Sequence, residues 1–357
     1  VTTDLLAATA DLLAIPSVSR DEAALADHVE ARLAPCGWLR VERLGDNVIA
    51  RTSLGRPRRV VIAGHLDTVP AAGNETPRID GDILYGLGSA DMKGGIAVML
   101  DLATVVDSPE VDVTWCFYRG EEIERSENGL VHVFAERPEL LAGDAAVLCE
   151  PTACLIEAGC QGSVRARITL GGKRAHSARP YLGRNAIHRM APVLTRVTEW
   201  QPRTVTLDGC QYTERLQVVG IEGGVASNVV PDRATALVNF RFAPDRSQGD
   251  ATAYLSGLFA DLIDPAQSDT LEFLDVAGAA PPGLGDPLLA RLLEATGQPP
   301  RAKLGWTDVA TFTERGVPAT NFGPGDPDLA HQAEEHVDRA SLERARSSLA
   351  ALLGAAT

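Results

Sequence analysis

Three short apolar runs punctuate the first half of the chain, and each ends in chemistry-bearing side chains. Arg59-Val60-Val61-Ile62-Ala63 leads into Gly64-His65-Leu66-Asp67. Val111–Tyr118 (VDVTWCFY) leads into Arg119-Gly120-Glu121-Glu122, and Ala145–Cys149 (AAVLC) into Glu150-Pro151-Thr152. Runs of this length, rich in β-branched and apolar residues, predict buried strands. Helical periodicity over 20–34 precedes them and that over 94–106 and 127–136 lies between them, and strands alternating with helices predict an α/β fold with a mixed, largely parallel sheet. In such sheets ligand sites gather beyond the carboxyl ends of the strands. Three separate segments therefore deliver polar groups to one rim.

Around residue 162 the pattern changes. Ser163–Leu170 (SVRARITL) alternates polar and apolar positions, as a half-exposed antiparallel strand does. Residues 184–200 read as a helix, Gln211–Gly220 and Ala234–Phe242 as strands, 249–263 as a helix and Leu271–Val276 as a strand. That order predicts a small α+β sandwich over 162–279. The Pro/Gly-rich AGAAPPGLGDP (277–287) reads as the way out. A helix at 287–296, Ala310–Arg315 and a helix at 339–353 then resume the first domain, so 1–161 and 280–357 form one discontinuous domain with the sandwich inserted into it.

Composition narrows the function. The formal net charge of −15 over 357 residues argues against nucleic acid or an anionic membrane surface as a partner. No stretch of 18 apolar residues reads as a membrane span. The start, VTTDLLAATADLLAIPSVS, lacks a basic region and reads as a core-packing helix rather than a signal peptide. The six cysteines are sparse and lack C-x-x-C spacing, which predicts reduced, structural thiols in a cytoplasmic chain.

The rim residues carry the chemistry. His65 and Asp67 stand two apart, so in extended chain they face the same way; the pair is either a capped core histidine or a metal ligand with an orienting acid. YGLGSADMKGG (85–95) is no phosphate loop, since Walker spacing is absent and Asp91 would repel phosphate. Its glycines permit a tight turn that presents Asp91 at a helix start, where a solvated cap is the plain alternative. Glu121-Glu122 reads as a plain solvated acidic pair or, at a strand end, as two carboxylates that would raise each other's pKa unless a cation intervened. Glu150 before a proline reads equally as a helix-start acid. His331 sits in GPGDPDLAHQAEEHV (323–337), a Gly/Pro loop followed by a helical pattern, where a lone histidine commonly faces solvent. His28, His132, His188 and His336 fall in helical or solvent-facing patterns and receive no role. Together, two histidines and several carboxylates on one rim suit zinc or a similar divalent metal, and a bridging carboxylate would let them hold two ions.

GHLDTVP, GLGSADMKGG, the strand-end EE pair, the E-P pair and the late A-H in a GPGD loop, in this order, resemble the aminoacylase/carboxypeptidase family of co-catalytic zinc hydrolases over essentially the whole chain. The resemblance implies two Zn2+ per chain, with Co2+ able to substitute. His65, Asp91 and Glu150 would hold one ion and Asp91, Glu122 and His331 the other, with Asp91 bridging. Glu121 would be the general base and Asp67 would orient His65. The inserted domain would be a lid and dimerisation domain, carrying His176 (in GKRAHSARP) into a partner subunit's site. Asn228 (in GGVASNVVPD) and Arg241 (in NFRF) would contact substrate, Arg241 offering a planar fork for a carboxylate. The expected partners are a small-molecule N-acyl amino acid and a second copy in a homodimer. Two departures bear on substrate choice: Arg119-Gly120 precedes the EE pair, and the substrate loop reads Leu304-Gly305-Trp306-Thr307-Asp308. There only Thr307 is carried over, and Trp306 would narrow the pocket.

Overall fold

All three expected strands form in the computed structural model, which describes residues 3–355, and they lie side by side. Asp112–Tyr118, Arg59–His65 and Ala145–Leu148 are consecutive parallel neighbours at the centre of an eight-stranded sheet. Ala319–Asn321 continues the parallel run beyond Ala145–Leu148. Arg40–Leu44 and Asn47–Arg51 add antiparallel strands at one edge. Glu157–Ala158 and Arg301–Ala302 complete the other. Val1, Thr2, Ala356 and Thr357, at the ends of the expected larger domain, lie outside the described residues.

Burial explains why the central strands lack alternation. All seven positions of Asp112–Tyr118 are buried, as are six of seven in Arg59–His65, because helices cover the sheet. Gly94–Val105 is apolar nearly all round and buried along ten of its twelve residues. Two glycines set how closely it approaches. A Cβ on Gly64 would lie 2.7 Å from the Met92 methyl, and one on Gly95 would lie 2.5 Å from the Cys149 carbonyl oxygen. Leu5–Leu13 and Arg339–Leu353 flank the same helix.

The chain forms two compact units. The larger comprises 1–159, 282–302 and 307–357, the smaller Cys160–Pro281 and Lys303–Trp306. Lys303–Trp306, read from sequence as part of the larger domain, groups with the smaller unit, where the Trp306 indole donates to the Gly278 carbonyl at 3.1 Å. The smaller unit is an antiparallel sheet in the order Arg215–Gly223, Arg233–Phe242, Gly162–Gly171, Thr270–Ala277. Along Arg233–Phe242 every second residue is buried. Ala234, Ala236, Val238, Phe240 and Phe242 meet Met190, Val193 and Val197 of helix Ala186–Thr198 and Leu255 and Phe259 of helix Gln248–Phe259.

Two expectations are corrected. The single strand expected over 211–220 is two, Cys210–Thr213 and Arg215–Gly223, in different sheets. Glu214 turns inward between them, where Arg203, Arg246 and the Ala243 N–H satisfy its buried carboxylate. The helical pattern after His331 is a loop followed by strand His336–Asp338, paired with Ile83–Tyr85. Tertiary hydrogen bonds outweigh helix propensity there: Glu335 is buried and its carboxylate accepts from the backbone of Gly88, Ala90 and Asp91. His336 accordingly packs by Tyr85, with ring centroids 5.1 Å apart, rather than lying on a helix.

The six cysteines are all buried free thiols. Among the described residues no helix is long and apolar enough to cross a membrane.

Candidate metal centre

His65 ends the central strand and is 1% exposed. Its Nδ1 lies 3.0 Å from the Asp67 backbone carbonyl oxygen, and 3.6 Å from the Asp67 carboxylate. The carbonyl therefore does most of the orienting that the sequence reading gave to the carboxylate. With Nδ1–H donating there, Nε2 presents its lone pair 3.0 Å from Asp91 Oδ1. Two electron-rich atoms in that position require a shared proton or a cation.

The Asp67 carboxylate has a different task. It is fully buried and accepts from Ser19 Oγ at 2.8 Å, Glu121 N at 3.0 Å and Glu122 N at 3.1 Å. Burial opposes its charge, but the neighbouring His65 ring and the hydrogen bonds from Ser19 and the Glu121 backbone prevail and hold its carboxyl at about 2. The acid after one strand thus fixes the backbone of the acids after the next.

Asp91 stands at the centre. It lies in Ser89–Lys93, where its own φ/ψ is not helical, just before helix Gly94–Val105. Oδ1 faces His65, and Oδ2 lies 3.4 Å from His331 Nε2. His331 Nε2 is also 2.8 Å from Glu122 Oε1. Burial opposes the Asp91 charge, yet its two histidine partners hold the carboxyl well below the ordinary range. Glu150, 6% exposed, follows strand Ala145–Leu148. Among the described residues, His65, Asp91 and Glu150 bring ligand atoms within 4.8 Å of one another, and so do Asp91, Glu122 and His331. Two ligand groups sharing one carboxylate suit two divalent ions. A third grouping at the same spacing, His65, Glu121 and Glu122, overlaps both. Glu121 is pushed well above the ordinary carboxylate range, first by burial and then by the Glu150 charge.

A family model, "Peptidase family M20/M25/M40", matches residues 61–355. The chain belongs to this family. It is a metal-dependent hydrolase by that membership, and its relatives match along nearly their full length. A Mycobacterium tuberculosis protein named DapE is 48% identical over 352 residues, 98% of each chain. A Corynebacterium glutamicum succinyl-diaminopimelate desuccinylase is 44% identical over 340 residues, covering 93% of this chain and 91% of its own. Solved structures share the fold at low identity. Aminopeptidase PepT from Bacillus cereus superposes with a TM-score of 0.80 at 18% identity, over 98% of this chain and 97% of its own. A Bacillus subtilis M20 peptidase described as dinuclear metal binding gives 0.72 at 17%, over 98% and 96%.

The other site residues expected from the family resemblance divide between the units. In the smaller unit His176 and Asn228 are exposed neighbours: Ser177 N donates to the Asn228 carbonyl at 2.8 Å, and His176 bridges Val229. The Ala178 N–H donates to His176 Nδ1 at 3.1 Å, which leaves the proton of the neutral ring on Nε2. Arg241 lies on Arg233–Phe242 opposite Ser163 and Arg215, and burial lowers its pKa. Thr307, in the larger unit, is 4% exposed and its hydroxyl donates to Asn321 Oδ1 at 2.9 Å, a bond that ties it into the core.

Sequence reasoning missed the residues that hold the candidate site in place. Ser19 steadies Asp67, and Glu335 grips the loop that carries Asp91. Asp308 is fully buried and takes hydrogen bonds from Asn128 and Thr311. Glu335 carried one usable signal: an acid in a Gly/Pro loop beside a candidate ligand.

Proposed function

We propose that this enzyme removes succinate from N-succinyl-LL-2,6-diaminopimelate to give LL-2,6-diaminopimelate, a step of lysine and diaminopimelate biosynthesis in the cytoplasm. The observation that carries the reading is the pair of ligand groups meeting at Asp91, in a chain 44% identical to a relative named for that reaction.

His65, Asp91 and Glu150 would hold one ion and Asp91, Glu122 and His331 the other; zinc suits this nitrogen and oxygen donor set, and cobalt would substitute. The buried carboxylates fit that role, because gathered in a dry site they repel one another unless cations compensate them. The bound ions would supply an acidified water and a polarised amide carbonyl. Glu121, held close by the Asp67 carboxylate through its backbone, takes the proton of the attacking water and returns it to the leaving amine. Arg241 pairs with a substrate carboxylate through its planar fork, and Asn228 adds a hydrogen bond. His176, supplied by a second copy, stabilises the oxyanion. Val219 and Ile221 are exposed on edge strand Arg215–Gly223 of the small unit, which supports pairing there in a homodimer.

Zinc-reconstituted protein assayed side by side on N-succinyl-diaminopimelate, acetylornithine and a dipeptide tests the assignment. The succinyl substrate should give the highest kcat/KM. Preference for acetylornithine or a dipeptide would reassign the enzyme within the same chemistry.

A further inference from the structure

Glu121 and Glu122 sit at the start of the irregular stretch from Gly120 to Asn128, between strand Asp112–Tyr118 and helix Gly129–Glu136. Catalysis by a general base demands placement within a fraction of an ångström, so what holds this loop matters. Its near end is pinned by the Asp67 carboxylate, at 3.0 and 3.1 Å. Its base is closed by Gly129 N donating to the Arg119 carbonyl at 2.8 Å. The far end is pinned differently. Asn128, 2% exposed, caps the following helix: its Oδ1 accepts from Leu130 N at 2.9 Å and Val131 N at 3.3 Å. Its Nδ2 donates to Asp308 Oδ2 at 2.7 Å, and the other Asp308 oxygen accepts from Thr311 Oγ1 at 2.8 Å.

We propose that Asp308 is a positioning residue: through Asn128 it holds the far end of the loop that carries Glu121 and Glu122. Capping alone needs only an acceptor, which Ser, Thr or Asp supplies equally well. The Asn128 amide N–H2 is used for Asp308. A fully buried carboxylate met by neutral donors costs free energy against an apolar replacement, so its presence calls for a purpose other than stability. Joining the loop to helix Val309–Thr313 gives it a second rigid support, independent of Asp67.

The inference rests on the hydrolase reading, and the test separates the two. Asn128→Asp keeps the cap and sets one carboxylate against another. It should lower kcat at least tenfold with KM within threefold and two zinc ions retained. Adding Asp308→Asn reverses donor and acceptor across the same contact and should return kcat to within threefold of the unaltered enzyme. A double variant that is folded, metal-loaded and as slow as Asn128→Asp overturns the proposal, as does Asn128→Asp with unaltered kcat. If Asn128→Asp does not fold, Asn128→Ser, which caps without donating to Asp308, should lose kcat severalfold, and full activity there overturns the proposal. Every ratio is measured on whichever N-acyl amino acid the unaltered enzyme hydrolyses, so failure on the succinyl substrate refutes the substrate assignment without touching the Asp308 result.

Discussion

Replacing Glu335 by glutamine should loosen the metal centre although Glu335 touches no metal. In the structure Glu335 Oε2 accepts from Gly88 N at 3.0 Å, and Oε1 accepts from Ala90 N at 2.9 Å and Asp91 N at 3.0 Å. A glutamine of the same shape keeps the two Oε1 bonds but turns an N–H2 toward the buried Gly88 N–H, donor against donor. Flipping the amide only moves the clash to Ala90 and Asp91. The loss of one charge-assisted bond and the stranding of one buried N–H together cost about 2–4 kcal/mol. Part of that cost falls on the loop that fixes the Asp91 backbone, the ligand shared by both proposed sites. Removing a support of this kind commonly costs about 10–100-fold in metal affinity. The assay is zinc titration of chelator-stripped Glu335→Gln and unaltered protein against a competing indicator, with urea unfolding of both. A variant that loses the expected stability but binds both ions within twofold of the unaltered protein refutes the reasoning, because Asp91 is then positioned by something else.

Glu121→Gln should lower kcat by roughly 10²–10⁴ with both zinc ions retained, while Glu122→Gln should lose one ion and recover partly in excess zinc; the opposite pattern of metal content would swap their roles. Mixing His176→Ala chains with Glu121→Gln chains should restore some activity, since a mixed dimer holds one site with both groups intact; no recovery once heterodimers are demonstrated counts against action across the interface. Asp269 is buried against Arg189, with the Gly171 and Asp264 N–H groups completing its contacts, and these bonds outweigh burial to hold its carboxyl at about 2. Because the folded value lies below the unfolded one, this stabilisation, about 2 kcal/mol, is full above pH ~4 and fades as pH falls toward 2. Acid unfolding of Asp269→Asn should lack that limb, and identical acid profiles would exclude the contribution.

What the sequence made legible was whatever depends on local pattern. The Arg59–His65, Asp112–Tyr118 and Ala145–Leu148 strands were readable because full burial leaves an uninterrupted apolar run, and their parallel adjacency follows from the helices between them. His65, Glu122 and Glu150 were readable because each stands at the end of such a run, whereas Asp91 and His331 lie in Gly-rich loops and were readable through the family resemblance. Glu214 and Glu335 were not. Each looks like an ordinary exposed acid in a chain with 48 of them, and each is turned inward by partners distant in sequence: Arg246 lies 32 positions from Glu214, and Ala90 lies 245 from Glu335. Asp308 escaped notice for the same reason, its partner Asn128 lying 180 positions away. Local reading finds groups that strand geometry exposes, whereas contacts that hold those groups in place close through the tertiary fold.

These supporting contacts share one chemistry. Asp67 holds the backbone of Glu121 and Glu122, Glu335 holds that of Gly88, Ala90 and Asp91, and Asp308 holds Asn128, so buried carboxylates act on the loops that carry other carboxylates. A neutral acceptor would avoid the desolvation cost, so charge must contribute something. An ionised carboxylate offers two oxygens able to take several N–H donors at once and forms hydrogen bonds about twice as strong as neutral ones. That suits a backbone which must hold ligands against their mutual repulsion. The same negative charge adds to the field that draws cations to the rim. Holding the proposed ligands and attracting cations would therefore be served by one set of residues, with Asp67, Glu335 and Asp308 standing behind the rim as buried supports.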